Sequence, residues 1–427
     1  MPISPARAAA FQILLRIQTT DAYASELLHS SRFAKLSPAD HGLLTELVMG
    51  VLRGRSVLDK HIAEHSSQSL AKFDLEVLTA LRLGTYQLLF LDRIPTHAAV
   101  NESVELVKQA RKRSAAGMVN AVLRKIKRGA RDLNDNAHPE WLVERWTQIY
   151  GLDIAKQICA YDQAAPKTTI RIDNPALIEE LEREGIHLQP GSFLAKAFVV
   201  EGNIARTRAF RERRLIIQDE ASQMIALLVG KGNTVLDCCA APGGKTRIMA
   251  EQNSDSIVVA MELHPPRAAL LKKLVPNDNV RVIAADARHL PLNTTFDRVL
   301  MDAPCSGTGT LARNPEIKWR FKPEDISRLS VYQAEILSAA MSQVAVHGRV
   351  IYSTCSLEPE ENEAVVEKVL AANPRFRVVE CRDELQRLKE NRELSDNFDS
   401  LLDGPYLRTI PGVHPTDGFF AAILERN

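Results

Sequence analysis

Residues 234–246, with the sequence Thr-Val-Leu-Asp-Cys-Cys-Ala-Ala-Pro-Gly-Gly-Lys-Thr, decide the fold of the second half of this chain. The apolar start of the stretch is typical of a buried strand. Gly243 and Gly244 allow a tight turn and a close approach of a ligand to the backbone. Lys245 and Thr246 begin a helix, whose free N–H groups favour an anionic group. The spacing is neither G-x-G-x-x-G nor G-x-x-x-x-G-K-[ST], so it predicts a strand–loop–helix ligand site of another kind.

Further short segments rich in Val and Ile, separated by helix-length segments, follow this strand along the chain. Their predicted bounds are 257–261, 280–284, 298–301 and 350–352. This alternation predicts an α/β fold with a mainly parallel sheet and helices on both faces. Ligands bind such sheets at the carboxyl ends of the strands.

Carboxylates stand at four successive strand ends: Asp237, Glu262, Asp286 and Asp302. Any one of them alone is as well explained as a cap of the following helix. Together they suit an adenosine ligand. Glu262, about 20 residues past the glycine loop, suits the two ribose hydroxyls, and Asp286 is placed to accept from the adenine amino group.

Two cysteines follow the fourth and fifth predicted strands. The blocks Asp-Ala-Pro-Cys-Ser-Gly-Thr-Gly (302–309) and Ser-Thr-Cys-Ser (353–356) place Cys305 and Cys355 at neighbouring strand ends. Either could be a buried structural thiol. A partly exposed cysteine in a ligand cleft is instead a strong nucleophile, because its thiolate is soft and reactive.

The remaining sequence predicts two smaller domains before the sheet. Apolar residues at helical spacing predict an all-helical bundle over 1–137, with Ser37-Pro38 at one helix start and Pro95 beyond one helix end. Residues 138–215 mix two strand-like runs, 168–172 and 197–200, with helices and predict a small α+β linker domain. Residues 216–427 then form the domain with the parallel sheet.

The end of the helical region is the most basic part of the chain and holds no acidic residue. We expect an amphipathic helix there whose basic face contacts RNA phosphates, although a solvated charged face is the alternative. The basic residues are Lys108, Arg111, Lys112, Arg113, Arg124, Lys125, Lys127, Arg128 and Arg131.

Composition limits the possible functions. The net charge is +1, so nucleic-acid binding requires a local patch, and 5% aromatic residues argue against a base-stacking platform. The six cysteines form no C-x-x-C pair and no cluster with zinc spacing, so we expect no metal site. We also expect a cytoplasmic protein without a signal peptide or membrane segment.

The blocks 237–246, 302–309 and 353–356, jointly and in this order, resemble the signatures of RNA cytosine-carbon-5 methyltransferases, the RsmB/NOP family. Residues 81–88 and 119–124 resemble the NusB-like N-terminal domain of the RsmB branch. Residues 138–146 resemble the linker segment of that branch, and residues 417–420 resemble its C-terminal signature. The resemblance therefore covers nearly the whole chain. It implies a Rossmann-like methyltransferase domain preceded by an all-α NusB-like domain and an α+β linker domain.

The resemblance also implies residue roles. Cys355 corresponds to the nucleophile, Cys305 to the cysteine that assists product release, and Asp302 can hydrogen-bond the ring nitrogen of the base. Arg267 is expected to support the cofactor. The implied S-adenosyl-L-methionine pocket consists of Cys239, Ala240, Ala241, Pro242, Gly243, Gly244, Lys245, Glu262, Asp286 and Asp302. The implied substrate is 16S ribosomal RNA, bound by a monomer.

The sequence differs from the family pattern in two places, and three alternatives to the implied function are open. Glu262 stands where Asp is commoner, and residues 313–320, expected near the RNA, differ from the commonest RsmB form. Cys305 could be the nucleophile, as in DNA cytosine methyltransferases. The same chemistry could act on transfer RNA, or the chain could be a non-enzymatic RNA-binding or ribosome assembly factor.

Overall fold

The computed structural model describes residues 3–33, 35–129, 137–395 and 398–427. The chain divides into two compact units. The first comprises Met1–Ala165 together with Leu311–Arg320, and the second comprises Pro166–Thr310 and Phe321–Asn427. The domain bounds 1–137, 138–215 and 216–427 stay a prediction. Within the described ranges, no helix has the length and apolar character needed to cross a bilayer.

The first unit is helical, as its periodicity predicts. The Ser37 hydroxyl accepts a hydrogen bond from the Asp40 N–H at 3.1 Å and caps a helix that has Pro38 at its start, and another helix ends before Pro95. The apolar faces pack into one core with Leu14, Leu44 and Leu81 at its centre. The helices are α1 (Pro5–Thr19), α2 (Ala24–Leu28), α3 (Pro38–Arg53), α4 (Arg55–His65), α5 (Leu75–Phe90), α6 (Thr96–Gln109), α7 (Ala116–Lys125), α8 (Glu140–Tyr150) and α9 (Leu152–Gln163).

The basic stretch is not the single amphipathic helix that we expected. It is divided between the end of α6, a short 3-10 turn at Arg113–Ala115, α7 and the residues after it. Lys108 pairs with Glu105 at 2.7 Å and Lys112 with Asp74 at 3.0 Å. Two of the predicted phosphate-binding cations are therefore already paired with carboxylates, and Arg131 lies outside the described residues.

The second unit begins with a small antiparallel sheet of strand order β2-β3-β1-β4. Ile170 and Leu181 lie in the core between this sheet and its helix. The sequence predicted two of these strands; β2 and β4 are additional. The elements are β1 (Thr168–Arg171), α10 (Ala176–Arg183), β2 (His187–Pro190), β3 (Ala197–Glu201), α11 (Arg208–Arg211) and β4 (Ile216–Ile217).

A large sheet forms the rest of the second unit. Its main path is β11-β12-β13-β9-β8-β5-β6-β7, with β10 also paired to β13. The elements from residue 220 onward, of which α15 alone belongs to the first unit, are α12 (Glu220–Leu228), β5 (Thr234–Asp237), α13 (Gly244–Gln252), β6 (Ile257–Glu262), α14 (Pro265–Leu274), β7 (Val280–Ala284), β8 (Phe296–Asp302), α15 (Ile317–Arg320), α16 (Pro323–Ser342), β9 (Val344–Thr354), α17 (Glu363–Ala372), β10 (Phe376–Val379), α18 (Cys381–Glu390), β11 (Leu402–Asp403), β12 (Tyr406–Thr409) and β13 (Phe419–Arg426).

The five predicted strands are β5 to β9, and they pair in parallel. Strands β10 to β13 form an antiparallel extension that the sequence analysis did not predict. Apolar cores cover both faces of the sheet: α12 and α13 pack on one face, and α16 and α17 on the other. The register places Asp302 opposite Ser353. The segments that follow β8 and β9, each with a cysteine, therefore leave the sheet side by side.

Residues 311–320 leave the second unit and complete the first. The Trp319 indole N–H donates to the Leu52 carbonyl at 2.7 Å, and an Arg320 N–H donates to the Ile17 carbonyl at 2.8 Å. The Lys318 ammonium donates to the carbonyls of Arg53 and Ala137, both at 3.1 Å. Lys318 is 1% exposed. The charge of Lys318 is therefore used inside the unit, and the location of residues 313–320 near the RNA stays a prediction.

Candidate active site

The glycine loop joins β5 to α13 and requires glycine at one position. Gly243 has φ +113°, and a Cβ there would lie 2.6 Å from side-chain atoms of Leu271 and Val275. The loop wraps around a pocket whose lining includes Cys239, Ala240, Ala241, Pro242, Gly243, Gly244, Lys245 and Asp302. These are eight of the ten residues predicted to hold the cofactor. Asp237, Gln218 and Ser222 complete much of the wall.

The other two predicted cofactor residues lie at the ends of the adjoining strands and not in the pocket wall. Glu262 ends β6 and is 6% exposed; its carboxylate accepts from the His264 N–H at 3.0 Å. The Arg267 guanidinium lies 4.0 Å from that carboxylate, so Arg267 is placed beside Glu262.

Asp286 follows β7 and is held by Arg288. The Arg288 backbone N–H donates to it at 2.9 Å, and the guanidinium contacts its other oxygen at 2.7 Å. These hydrogen bonds lower the pKa of Asp286. Arg288 also lies 5.1 Å from the Tyr332 ring centroid. Arg288 was not predicted as a site residue, because an arginine two residues after an acid carries no pattern of its own.

Asp237 supplies an unpaired buried oxygen to the pocket. One carboxyl oxygen accepts from the Thr246 hydroxyl at 2.7 Å, and the other has no partner among the described residues. Burial, together with the charge of Asp302, raises its pKa to about 7. A buried carboxyl oxygen left without a donor fits a ligand that carries positive charge or N–H groups, as S-adenosylmethionine does.

An ion pair joins the cofactor loop to the end of β8. The Lys245 ammonium lies 2.7 Å from one oxygen of Asp302, and the Ser353 hydroxyl donates to the other at 2.8 Å. Burial alone would lower the pKa of Lys245, but Asp302 and Cys355 raise it above its ordinary value. The ammonium also lies 5.0 Å from the Phe419 ring centroid. Lys245 is thus a fixed cation between two strand ends.

The side chains of the two predicted catalytic cysteines, Cys305 and Cys355, are in contact. Their sulfurs are 3.3 Å apart, and both residues are half-buried, so neither is an inert core thiol. The hydrogen bond to Cys355, and then burial, raise the pKa of Cys305 well above its ordinary value. The two sulfurs therefore share a contact of hydrogen-bond length in which either thiol can be the donor.

Three loops interlock around the cysteines. The Gly309 N–H donates to the Cys355 carbonyl at 2.9 Å, and the Gly418 N–H donates to the Gly309 carbonyl at 2.7 Å. A Cβ on Gly309 would lie 2.2 Å from the Gly418 carbonyl oxygen, so the backbones approach too closely for a side chain. The C-terminal signature 417–420 thereby supports the cysteine-bearing loops.

Comparison with known proteins agrees with this arrangement. Models of three families match the chain: the 16S rRNA methyltransferase RsmB/F family over residues 224–425, the NusB family over 4–128, and the RsmF/B-like ferredoxin-like domain over 138–206. The three matched segments follow the order of the helical bundle, the small antiparallel sheet and the large sheet.

Curated relatives match over nearly their whole length. One, a probable ribosomal RNA small subunit methyltransferase B of Bacillus subtilis, is 33% identical, covering 98% of each chain. A ribosomal RNA small subunit methyltransferase B of Vibrio cholerae is 31% identical, covering 98% of this chain and 97% of the relative.

Solved structures share the fold. That of PH0851 is 26% identical and superposes with a TM-score of 0.81 over 100% of both chains. A methyltransferase homolog protein from Pyrococcus horikoshii is 25% identical, with a TM-score of 0.56 over 68% of this chain and 96% of that one. The chain therefore belongs to the 16S rRNA methyltransferase RsmB/F family and is an rRNA methyltransferase that uses S-adenosylmethionine.

Proposed function

We propose that the protein methylates carbon 5 of a cytosine in 16S ribosomal RNA, with Cys355 bonding transiently to carbon 6 of the base. The observation that carries this proposal is the 3.3 Å contact of the Cys305 and Cys355 sulfurs on adjacent loops. It is supported by the Lys245–Asp302 pair, which joins the cofactor pocket to the same strand ends. The relatives, named as ribosomal RNA small subunit methyltransferases, support the choice of RNA.

The residues at the strand ends suit each part of the cofactor. The glycine loop 239–245 and Asp237 line the pocket. Glu262 offers a carboxylate to the ribose hydroxyls, and Asp286 offers one to the adenine amino group. When bound, S-adenosylmethionine supplies an electrophilic methyl group on a sulfonium.

Cys355 makes the base reactive. Carbon 5 of cytosine is a poor nucleophile, and addition of a thiolate to carbon 6 places electron density on carbon 5. The sulfur of Cys305 lies 3.3 Å from the sulfur of Cys355, and the Lys245 ammonium lies within electrostatic reach of Cys355. The thiolate, not the thiol, is the form of a cysteine that adds to an electrophilic carbon.

The covalent adduct breaks down after the methyl group has been transferred to carbon 5. A base removes the carbon 5 proton, the electron pair restores the 5,6 double bond, and Cys355 leaves as a thiolate. Cys305 lies at the sulfur that departs and assists this step. Asp302, held by Lys245 and Ser353 with its side chain 27% exposed, is available to accept a hydrogen bond from the ring nitrogen when that nitrogen carries a proton.

Substitution of each cysteine tests the assignment. We expect Cys355→Ala to abolish methylation and covalent trapping on RNA that contains 5-fluorocytosine, because the bond to carbon 6 cannot form. Cys305→Ala should instead accumulate an RNA–protein adduct on unmodified RNA. Cys159→Ala, which removes a buried thiol of the first unit, should methylate normally.

The opposite pattern, with trapping lost in Cys305→Ala and adduct accumulating in Cys355→Ala, would assign the nucleophile to Cys305. Mapping 5-methylcytosine in 16S ribosomal and transfer RNA, from cells with and without the gene, separates the two RNA substrates. Absence of S-adenosylmethionine binding in calorimetry would favour an assembly factor without catalysis.

A further inference from the structure

Glu361 is a buried carboxylate close to both cysteines, outside the set of residues that the sequence analysis selected. It is 0% exposed. One oxygen accepts from the Ser306 backbone N–H at 2.9 Å and from the Gln333 amide at 2.8 Å, and the other accepts from the Ser356 hydroxyl at 2.5 Å. No basic side chain of the described residues forms an ion pair with it. Its charge is therefore balanced by neutral donors alone.

These donors belong to the two cysteine-bearing loops. Ser306 directly follows Cys305, and Ser356 directly follows Cys355. The two serine hydroxyls are also 2.9 Å apart. A single carboxylate thus joins the two loops one residue beyond each sulfur, so its hydrogen bonds hold the loops at a fixed separation.

The neighbouring Asn362 strengthens the same connection. Its side-chain amide donates to the Ser356 carbonyl at 2.9 Å, and its side-chain oxygen accepts from the Thr354 hydroxyl. Asn362 is 0% exposed, as is Thr354. The loop on either side of Cys355 is therefore fixed by two consecutive residues of one turn.

Charged side chains lie near both sulfurs. The Lys245 ammonium interacts with Cys355, whereas Glu361 and Asp302 place negative charge near Cys305. A nearby anion disfavours a thiolate, and a nearby cation favours one. The negative charge of Glu361 therefore disfavours a thiolate at Cys305.

We propose that Glu361 is a positioning residue that holds the Cys305 and Cys355 loops together through Ser306 and Ser356 and places its negative charge close to Cys305. The inference rests on the proposed function, because it assigns different roles to the two thiols. Glu361 acts through Ser306 and Ser356 and does not touch the RNA base.

The charge of Glu361 is tested by titrating Cys305 alone. In a Cys355→Ala background, the rate of iodoacetamide alkylation of Cys305 is followed against pH by peptide mass spectrometry. We expect the additional change Glu361→Gln, which keeps the shape and loses the charge, to lower the midpoint by about one pH unit. Glu360→Gln, which neutralises the exposed neighbour, should leave the midpoint unchanged. An unchanged midpoint in Glu361→Gln would overturn the electrostatic role.

The positioning role is tested with both cysteines present. We expect Glu361→Gln to slow methylation, measured as kcat, on the order of tenfold, with KM for RNA unchanged, because the reacting sulfur is misplaced. Glu361→Asp keeps the charge but is one methylene shorter. It should therefore slow methylation while leaving the Cys305 midpoint high. Wild-type kcat in both variants would overturn the positioning role.

Alkylation of the buried thiols Cys159 and Cys381 distinguishes loss of folding from loss of positioning. Both thiols should resist alkylation in every folded variant. If Glu361→Gln exposes them, Ser356→Ala replaces it as the test. That variant removes only one hydrogen bond to Glu361, and a wild-type kcat in it would sink the inference. If Cys355→Ala still methylates RNA, the proposed function fails. If Cys355→Ala is inactive and the Glu361 variants behave as wild type, this inference alone fails.

Discussion

Burial raises the pKa of the Asp237 carboxyl group from 3.8 to about 7, and the negative charge of Asp302 adds to this rise. Between these values the folded protein holds a proton that the unfolded chain releases. The contribution to stability is therefore present at low pH and is lost as pH rises through 7. Asp237→Asn stays neutral, so its unfolding free energy should rise relative to wild type as pH increases from 5 to 8, measured by urea unfolding.

The matched control for this prediction is Asp286→Asn. The hydrogen bonds from Arg288 lower the pKa of Asp286, so that carboxyl stays charged in both states over the same range. Its stability difference from wild type should not change between pH 6 and 8. A constant difference for Asp237→Asn as well would show that Asp237 is ionised in the folded protein throughout.

At the scale of single residues, the sequence predicted groups that directly follow a strand and missed those reached through space. Cys305 and Cys355 were expected at neighbouring strand ends, and their sulfurs lie 3.3 Å apart. Glu361 and Gln333 were not expected, because they bind each other across 28 residues of sequence. Their proximity follows from how α16 and the turn before α17 pack on the sheet, which no local pattern encodes.

The loop between β5 and α13 gives a prediction for an element. Gly243→Ala forces a side chain into a left-handed backbone conformation and against Leu271 and Val275. We expect it to destabilise the protein and to weaken S-adenosylmethionine binding, measured by calorimetry. Gly185→Ala is the control, because its φ is +79° and nothing lies within 4 Å of the added Cβ.

The control should lose only the backbone cost, about 1–2 kcal/mol. Gly243→Ala should lose more than this, because α14 must shift to admit the methyl group. Equal losses in the two variants would mean that the loop moves freely and that the contact with α14 does not fix it.

Elements with a strong internal pattern were predicted, and those defined by their partners were not. Strands β5 to β9 are Val- and Ile-rich and bounded by helices, so their existence and type followed from the sequence. Residues 417–420 were noted only as a signature. That β13 pairs antiparallel with β9 depends on the chain returning across the sheet.

At the scale of the whole molecule, residues 311–320 belong to a different structural unit from the residues on either side of them in the sequence. They lie between β8 and α16 of the second unit but are part of the first. Trp319 and Leu52, which share a hydrogen bond, are 267 residues apart. A single sequence without periodicity in this segment offers no signal for such a pairing.

Substitution of Lys318 tests whether residues 311–320 belong to the first unit. Its buried ammonium satisfies two backbone carbonyls of the first unit and lies near the charge of Asp162. Lys318→Met leaves those carbonyls and that carboxylate without their cation, which should cost about 3 kcal/mol. By hydrogen exchange, protection should fall in α1 and α3 of the first unit and stay unchanged in α12 and α13 of the second. Arg328→Met, which removes an exposed cation on α16, should change neither. Loss of protection in α12 and α13 alone would instead assign the segment to the second unit.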